Sequence, residues 1–209
     1  MAKKKKVKKA KAVKKVKAIR KAKTVKKVAT PARPRSPRTS STAPVVGVVM
    51  GSDSDLKIVG YCLKQLGEFD IRFEVRVISA HRTPDSAREY ALSAAERGLK
   101  VLIAAAGMSA ALAGVLAAHT TLPVIGVPVA SGPMVGVDAA LSTMQMPPGI
   151  PVGCMAIGAA GAINGAIFAA QILSLSDERL VGRLAGLKRH HVSSTRKKDA
   201  AVRKRTQRK

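Results

Sequence analysis

Tryptophan is absent from the 209 residues, and the aromatics amount to three Phe and two Tyr. Ala and Gly crowd the later part of the chain instead, and such small residues permit close helix approach, either between subunits or within one chain. Only two cysteines occur, Cys62 and Cys154, far apart and each in apolar surroundings. With no second Cys at metal-ligand spacing, they read as buried free thiols, compatible with a cytoplasmic setting, rather than as a disulfide framework or zinc site. Between Lys100 and Asp177 the sole formal charge is Asp138, which raises the question of a membrane span. The runs are cut too often for one, by Ser131-Gly132-Pro133 and Pro147-Pro148-Gly149 among others. Even the stretch 150–175 is broken by Pro151, Asn164 and Gln171, short of the ~20 residues a span needs. Buried parallel strands with Ala-rich helices account for the same composition.

Acid is missing from residues 1–43, which carry 18 Lys and Arg; residues 188–209 carry 10 bases and one acid, Asp199. The formal charge of +26 therefore belongs to the ends, while 44–187 hold 10 bases against 11 acids. Both ends read as disordered basic tails flanking one domain of 44–187. No uninterrupted apolar segment follows the first lysines, which excludes a secretory signal. An acid-free basic leader leaves three roles open: an organelle transit peptide, a histone-like segment binding nucleic acid or another polyanion without sequence preference, or a solvated tail.

Within the domain, Val45 to Met50 form a short apolar run that opens into Gly51-Ser52-Asp53-Ser54-Asp55. This predicts a buried strand whose carboxyl end meets a helix N-terminus, where an anion is favoured. Leu56, Val59, Leu63 and Leu66 recur at helical spacing up to Gly67. A second strand is expected over 71–77, then a helix capped by Thr83, with Pro84 in its first turn, running to about Gly98. Further strands are expected over 101–105, 123–129 and 150–157. Helices are expected over 109–119, 134–145 and 160–175, with a last one capped by Ser176. Strict alternation of strand and helix implies a parallel, doubly wound three-layer α/β/α sandwich.

In such a sheet, ligands sit at the carboxyl ends of the strands. Three loops there carry chemistry: Ser52 to Asp55, Ser79 to Thr83, and Ala105 to Ser109. Arg82 and helix N-termini suit a phosphate, Asp55 suits a ribose hydroxyl, and His81 can move protons near neutral pH. A plainer reading stands beside each. Asp53 and Asp55 would complement a helix dipole, Arg82 would form a surface ion pair, and His81 would cap a helix. His119, His190 and His191 read as structural or solvated. The stretch from Gly107 to Gly114 lacks a dinucleotide fingerprint with its following acid.

Several motifs, taken in order, carry a resemblance. Gly51-Ser52-x-Ser54-Asp55, Ser79-Ala80-His81-Arg82-Thr83-Pro84, Gly136-Val137-Asp138-Ala139 and Gln145-Met146-Pro147-x-Gly149-Ile150-Pro151-Val152 resemble the PurE family of purine biosynthesis, across about 45–187. The resemblance implies a flavodoxin-like core assembled as an octamer, without metal or organic cofactor, acting on aminoimidazole ribonucleotides in the cytoplasm. It also implies His81 as the catalytic proton carrier, with Ser52, Asp55, Ser79, Arg82, Gly107 and Ser109 binding substrate. The segments Gln145-Met146-Pro147 and Ile150-Pro151-Val152 resemble the branch that moves a carboxylate from N5 to C4 of the substrate. Another stretch departs: Ala111 stands where that branch commonly carries His. The segment Ser109-x-Ala111-Leu112-x-Gly114 resembles the branch that carboxylates aminoimidazole ribonucleotide directly with CO2.

Overall fold

The structure is a computed structural model and describes residues 43–207. Of the N-terminal tail only Ala43 falls within that range, so what is expected of the tail lies outside the described residues. Five parallel strands form one sheet: β1 (Val46–Met50), β2 (Phe73–Val77), β3 (Val101–Gly107), β4 (Val124–Val129) and β5 (Gly153–Cys154). Their order is β2-β1-β3-β4-β5, the flavodoxin-like arrangement, in which the order reverses between β1 and β3. Helices α1 (Leu56–Glu68), α2 (Pro84–Ser93), α3 (Leu112–Ala118), α4 (Val137–Met144), α5 (Ala159–Ser174) and α6 (Glu178–Thr206) complete the fold.

Two apolar clusters follow from the two-residue period of the strands. Val46, Val48 and Met50 face α1, α5 and the start of α6, meeting Val59, Leu66, Ala166 and Leu180. Val49, Leu102 and Ala104 face the other way, against Tyr90, Ala91 and Leu112 of α2 and α3. Gly47 shares that second face, and a Cβ there would run into the Tyr90 hydroxyl and stand 2.9 Å from Leu102 Cδ2. The scarcity of aromatics is met on α5 by Ala162, Ala166, Ala169 and Ala170, all buried, which bring its backbone close to α1 and the sheet.

Several expectations are corrected. The strand over 150–157 shrinks to Gly153–Cys154, paired only through Ile125 and Gly126. Pro147, Pro148 and Pro151 offer no N–H to a ladder, so edge pairing starts late. The helix after Thr83 ends at Ser93, not Gly98; beyond it the chain closes in turns, with Gly98 at φ +91. The cap of α6 is Asp177, which accepts from the Arg179 N–H at 3.1 Å, rather than Ser176.

The largest correction concerns the C-terminal tail. Residues 188–206 are not disordered but continue α6 as one helix of 29 residues. Lys, Arg and Ala are strong helix formers, and Arg203, Lys204 and Arg205 in the last turn complement the helix dipole. A nucleus packed on the core removes the cost of starting the helix, so the basic extension has only to propagate it. Among the described residues no helix is long and apolar enough to cross a membrane.

Candidate active site

The reversal between β1 and β3 leaves a crevice at the carboxyl ends of the strands, and the three loops singled out from sequence converge on it. They line an open cleft of about 660 Å³. Its wall includes Ser52, Asp55, Ser79, His81, Arg82, Gly107 and Ser109, so every residue expected in the site is present.

The first loop is held by its own side chains. Ser52 is extended (φ −150°), its N–H donates to Asp55 Oδ2 at 3.1 Å, and its hydroxyl accepts from the Ser54 N–H at 3.4 Å, a reciprocal capping box. A short 3-10 turn, Asp53–Asp55, precedes α1. Asp55 is 6 % exposed, a rare burial for a carboxylate. Burial pushes its pKa up and the neighbouring Asp53 charge adds to this, against the Ser52 N–H, which favours the ionised form. Asp55 thus braces the loop through the Ser52 N–H and also lines the cleft.

The second loop is closed by hydroxyls. Thr83 N–H donates to Ser79 O at 2.9 Å, the Thr83 hydroxyl donates to that oxygen at 3.0 Å, and Ser79 N–H donates to Thr83 Oγ1 at 3.0 Å. Thr83 thus spends its side chain backwards on Ser79 and makes no side-chain cap of α2, although Pro84 does occupy the first turn as expected. His81 sits exposed on the rim of this closed turn. Arg82 is fixed from three directions: its backbone N–H and Nε donate to Ser79 Oγ at 3.1 and 3.4 Å, and Nη2 donates to Gly51 O at 3.2 Å. The last bond ties the second loop to the first. It leaves three of the five guanidinium N–H groups for a ligand, and the Ser79 hydroxyl hydrogen is likewise open.

The third loop begins where β3 runs on to Gly107, two residues beyond the expected end. Met108 takes a left-handed φ of +55°, turning the chain so that Ser109, Ala110 and Ala111 line the cleft. Gly107 lies so near Ser131 that a Cβ would overlap the Ser131 hydroxyl. Ser131 itself lines the cleft and escaped the sequence reading, which took Ser131-Gly132-Pro133 as punctuation. Its signal was position: it lies two residues past the end of β4, the same strand-end placement that marked the other loops. Gln145, Met146 and Pro147 are not among the residues lining the cleft; the Met146 thioether packs instead on α3 at Gly114. No group of three or more His, Cys, Asp or Glu side chains that could hold a metal ion occurs among the described residues.

This geometry can be set beside known proteins. Residues 45–194 match the family described as AIR carboxylase. The chain belongs to the AIR carboxylase family. Within that family, the N5-carboxyaminoimidazole ribonucleotide mutase of Bacillus subtilis is 52% identical over 141 residues, covering 68% of this chain and 87% of that one. The N5-carboxyaminoimidazole ribonucleotide mutase of Mycobacterium tuberculosis (strain H37Rv) is 47% identical over 159 residues, covering 76% and 90%. Among solved structures, Treponema denticola PurE superposes with a TM-score of 0.68 at 27% identity, covering 76% of this chain and 98% of that one. All three crevice loops, and α6 as far as Ser194, fall inside the AIR carboxylase match. Residues 195–206 of α6 lie beyond it.

Proposed function

We propose that the chain is an N5-carboxyaminoimidazole ribonucleotide mutase, acting in purine biosynthesis to move the substrate carboxylate from the exocyclic N5 to ring C4. The observation that carries this reading is the convergence of His81, Arg82, Ser79, Ser52, Asp55 and Ser109 on one cleft at the β1/β3 switch point. The 52% identity to a mutase supports the choice of reaction.

The residues divide the work. Arg82, held in place by Ser79 and Gly51 O, presents its remaining guanidinium donors to the substrate phosphate. Ser52 and Asp55 hold the ribose end, Asp55 accepting from a sugar hydroxyl. Gly107 and Ser109, which line the same cleft, complete the substrate contacts. The N5–carboxylate bond breaks to release CO2, and the His81 imidazole supplies the proton that N5 then carries. Ring C4 attacks the trapped CO2, the new C–C bond forms, and the same imidazole takes the proton that C4 gives up. No net proton is consumed, so one group returns to its starting state each cycle. CO2 must be kept from water between the two steps. The cleft of this single chain is open, and an octameric assembly would supply the missing cover.

A second reading rests on one side chain. Ala111 lines the cleft where the mutase branch carries His, and this favours direct carboxylation of aminoimidazole ribonucleotide by CO2. Giving the purified protein each ribonucleotide separately decides between them. The mutase reading expects rapid conversion of the N5-carboxy compound without added bicarbonate. Rapid use of aminoimidazole ribonucleotide plus CO2, with little use of the N5-carboxy compound, would overturn it.

A further inference from the structure

The last helix leaves the body of the protein. Leu180 is buried, and Leu184 and Leu187 pack on the same cluster. Continued at helical spacing, that stripe next meets His191 and Ser194, which belong to no apolar cluster. From Lys188 to Thr206 every residue except Ser194 is exposed. At 1.5 Å per residue this extension reaches roughly 28 Å along its axis.

Its charges fall in a pattern. Residues seven apart lie on nearly one line of a helix, drifting by only about 20°. Arg189, Arg196 and Arg203 therefore form one flank. Lys198 and Arg205 fall on the opposite flank, roughly 180° around, and Lys197 with Lys204 lies between, while Lys188, at the base of the extension, stands on the side away from those two. Against these bases stands one acid, Asp199, paired to Arg203 at 3.5 Å. The apolar residues of the stretch, Val192, Val202, Ala200 and Ala201, are scattered around the axis. They make no continuous face that could enter a lipid interface, which an amphipathic membrane helix requires.

We propose that this helical extension docks in the major groove of duplex DNA, holding the phosphate backbone without reading sequence. A groove about 12 Å wide admits one helix, and its two walls are phosphate. Bases on opposite flanks of the helix meet both walls at once. Binding is driven by counterion release and is steeply salt-dependent. It accompanies catalysis rather than replacing it, because none of these residues lines the cleft.

The test keeps the full chain, since residues 1–43 carry bases of their own. Arg189, Arg196, Lys197, Lys198, Arg203, Lys204 and Arg205 are replaced together by Gln, which keeps helix propensity. Binding to a fluorescent 30-base-pair duplex of arbitrary sequence is followed by anisotropy across salt concentrations. Each lost phosphate contact lowers the slope of log K against log salt by about 0.9, so the slope should fall by at least ~3. Turnover of the ribonucleotide substrate reports that the fold is intact. A slope and affinity unchanged from wild type would overturn the proposal. Ser194→Pro keeps every base and breaks the helix; duplex affinity should drop at least about tenfold, and undiminished affinity would refute groove docking. Anionic phosphatidylserine vesicles form the last arm. If the Gln variant loses vesicle binding while duplex binding stays, the surface serves lipid and the proposal fails.

Discussion

Replacing Gly107 by Ala would separate packing from chemistry at the centre of the cleft. Gly107 does not adopt a left-handed φ, so the backbone conformation suits alanine and space alone decides the outcome. An ideal Cβ at this position stands 3.0 Å from Ser131 Cβ and 3.1 Å from Val129 O, and overlaps the Ser131 hydroxyl. Ordinary carbon contacts lie near 3.5–4.0 Å. The hydroxyl can rotate to another staggered well. Ser131 Cβ and Val129 O are fixed by the backbone of β4 and its loop, so β3 and β4 must part at their ends, where Gly107 pairs with Val129. Overpacking of this kind costs about 1–3 kcal/mol. With a urea m-value near 2 kcal/mol per M, the midpoint should fall by about 0.5–1.5 M. Adding Ser131→Gly removes both Ser131 contacts and leaves only Val129 O, so the double variant should recover about half the loss, a coupling near 1 kcal/mol. Circular dichroism in urea measures stability, and turnover is measured beside it. If Gly107 also gives substrate room against the backbone, activity stays low in the restabilised double variant. A Gly107→Ala protein as stable as wild type, or one that Ser131→Gly does not help, would refute the packing argument.

Three further outcomes are expected. His81→Asn should lower kcat at least 100-fold with the circular dichroism spectrum unchanged, and near-wild-type turnover would remove His81 from the mechanism. Burial raises the folded-state pKa of Asp55 above its ordinary 3.8. Its ionisation therefore costs stability: the contribution is fully present below pH 3.8 and is lost as pH rises through the raised value. Asp55→Asn lacks this loss, so its stability relative to wild type should improve from pH 3.5 to pH 7 while activity falls, and a wild type that gains on the variant over that range would contradict the sign. Burial also pushes the Cys62 thiol up to about 12, so at pH 8 Cys62 should be silent to a disulfide reagent until urea is added. Rapid native labelling of Cys62, read by peptide mass mapping, would show that α1 opens.

What the sequence settles by itself is local. The two-residue and 3.6-residue periods, with the alternation of strand and helix, suffice for a parallel α/β sandwich, because each element must bury one face or both. The Ser-Asp-rich turn and Ser79-Ala80-His81-Arg82-Thr83-Pro84 mark strand ends because hydroxyl, carboxylate and Pro belong at helix starts. Tertiary structure decided the rest. The strand order brings loops dozens of residues apart into one crevice, and no local pattern carries that order. Arg82 reaches Gly51 across 31 positions of chain, and Gly107 meets Ser131 only because β3 pairs with β4. Thr83 caps nothing with its side chain because Ser79 stands within reach. The basic end shows the same limit. Its composition reads as disorder when judged alone, yet Leu180, Leu184 and Leu187 seat the first turns of α6 on the core, and a helix once nucleated extends through lysine and arginine at little further cost.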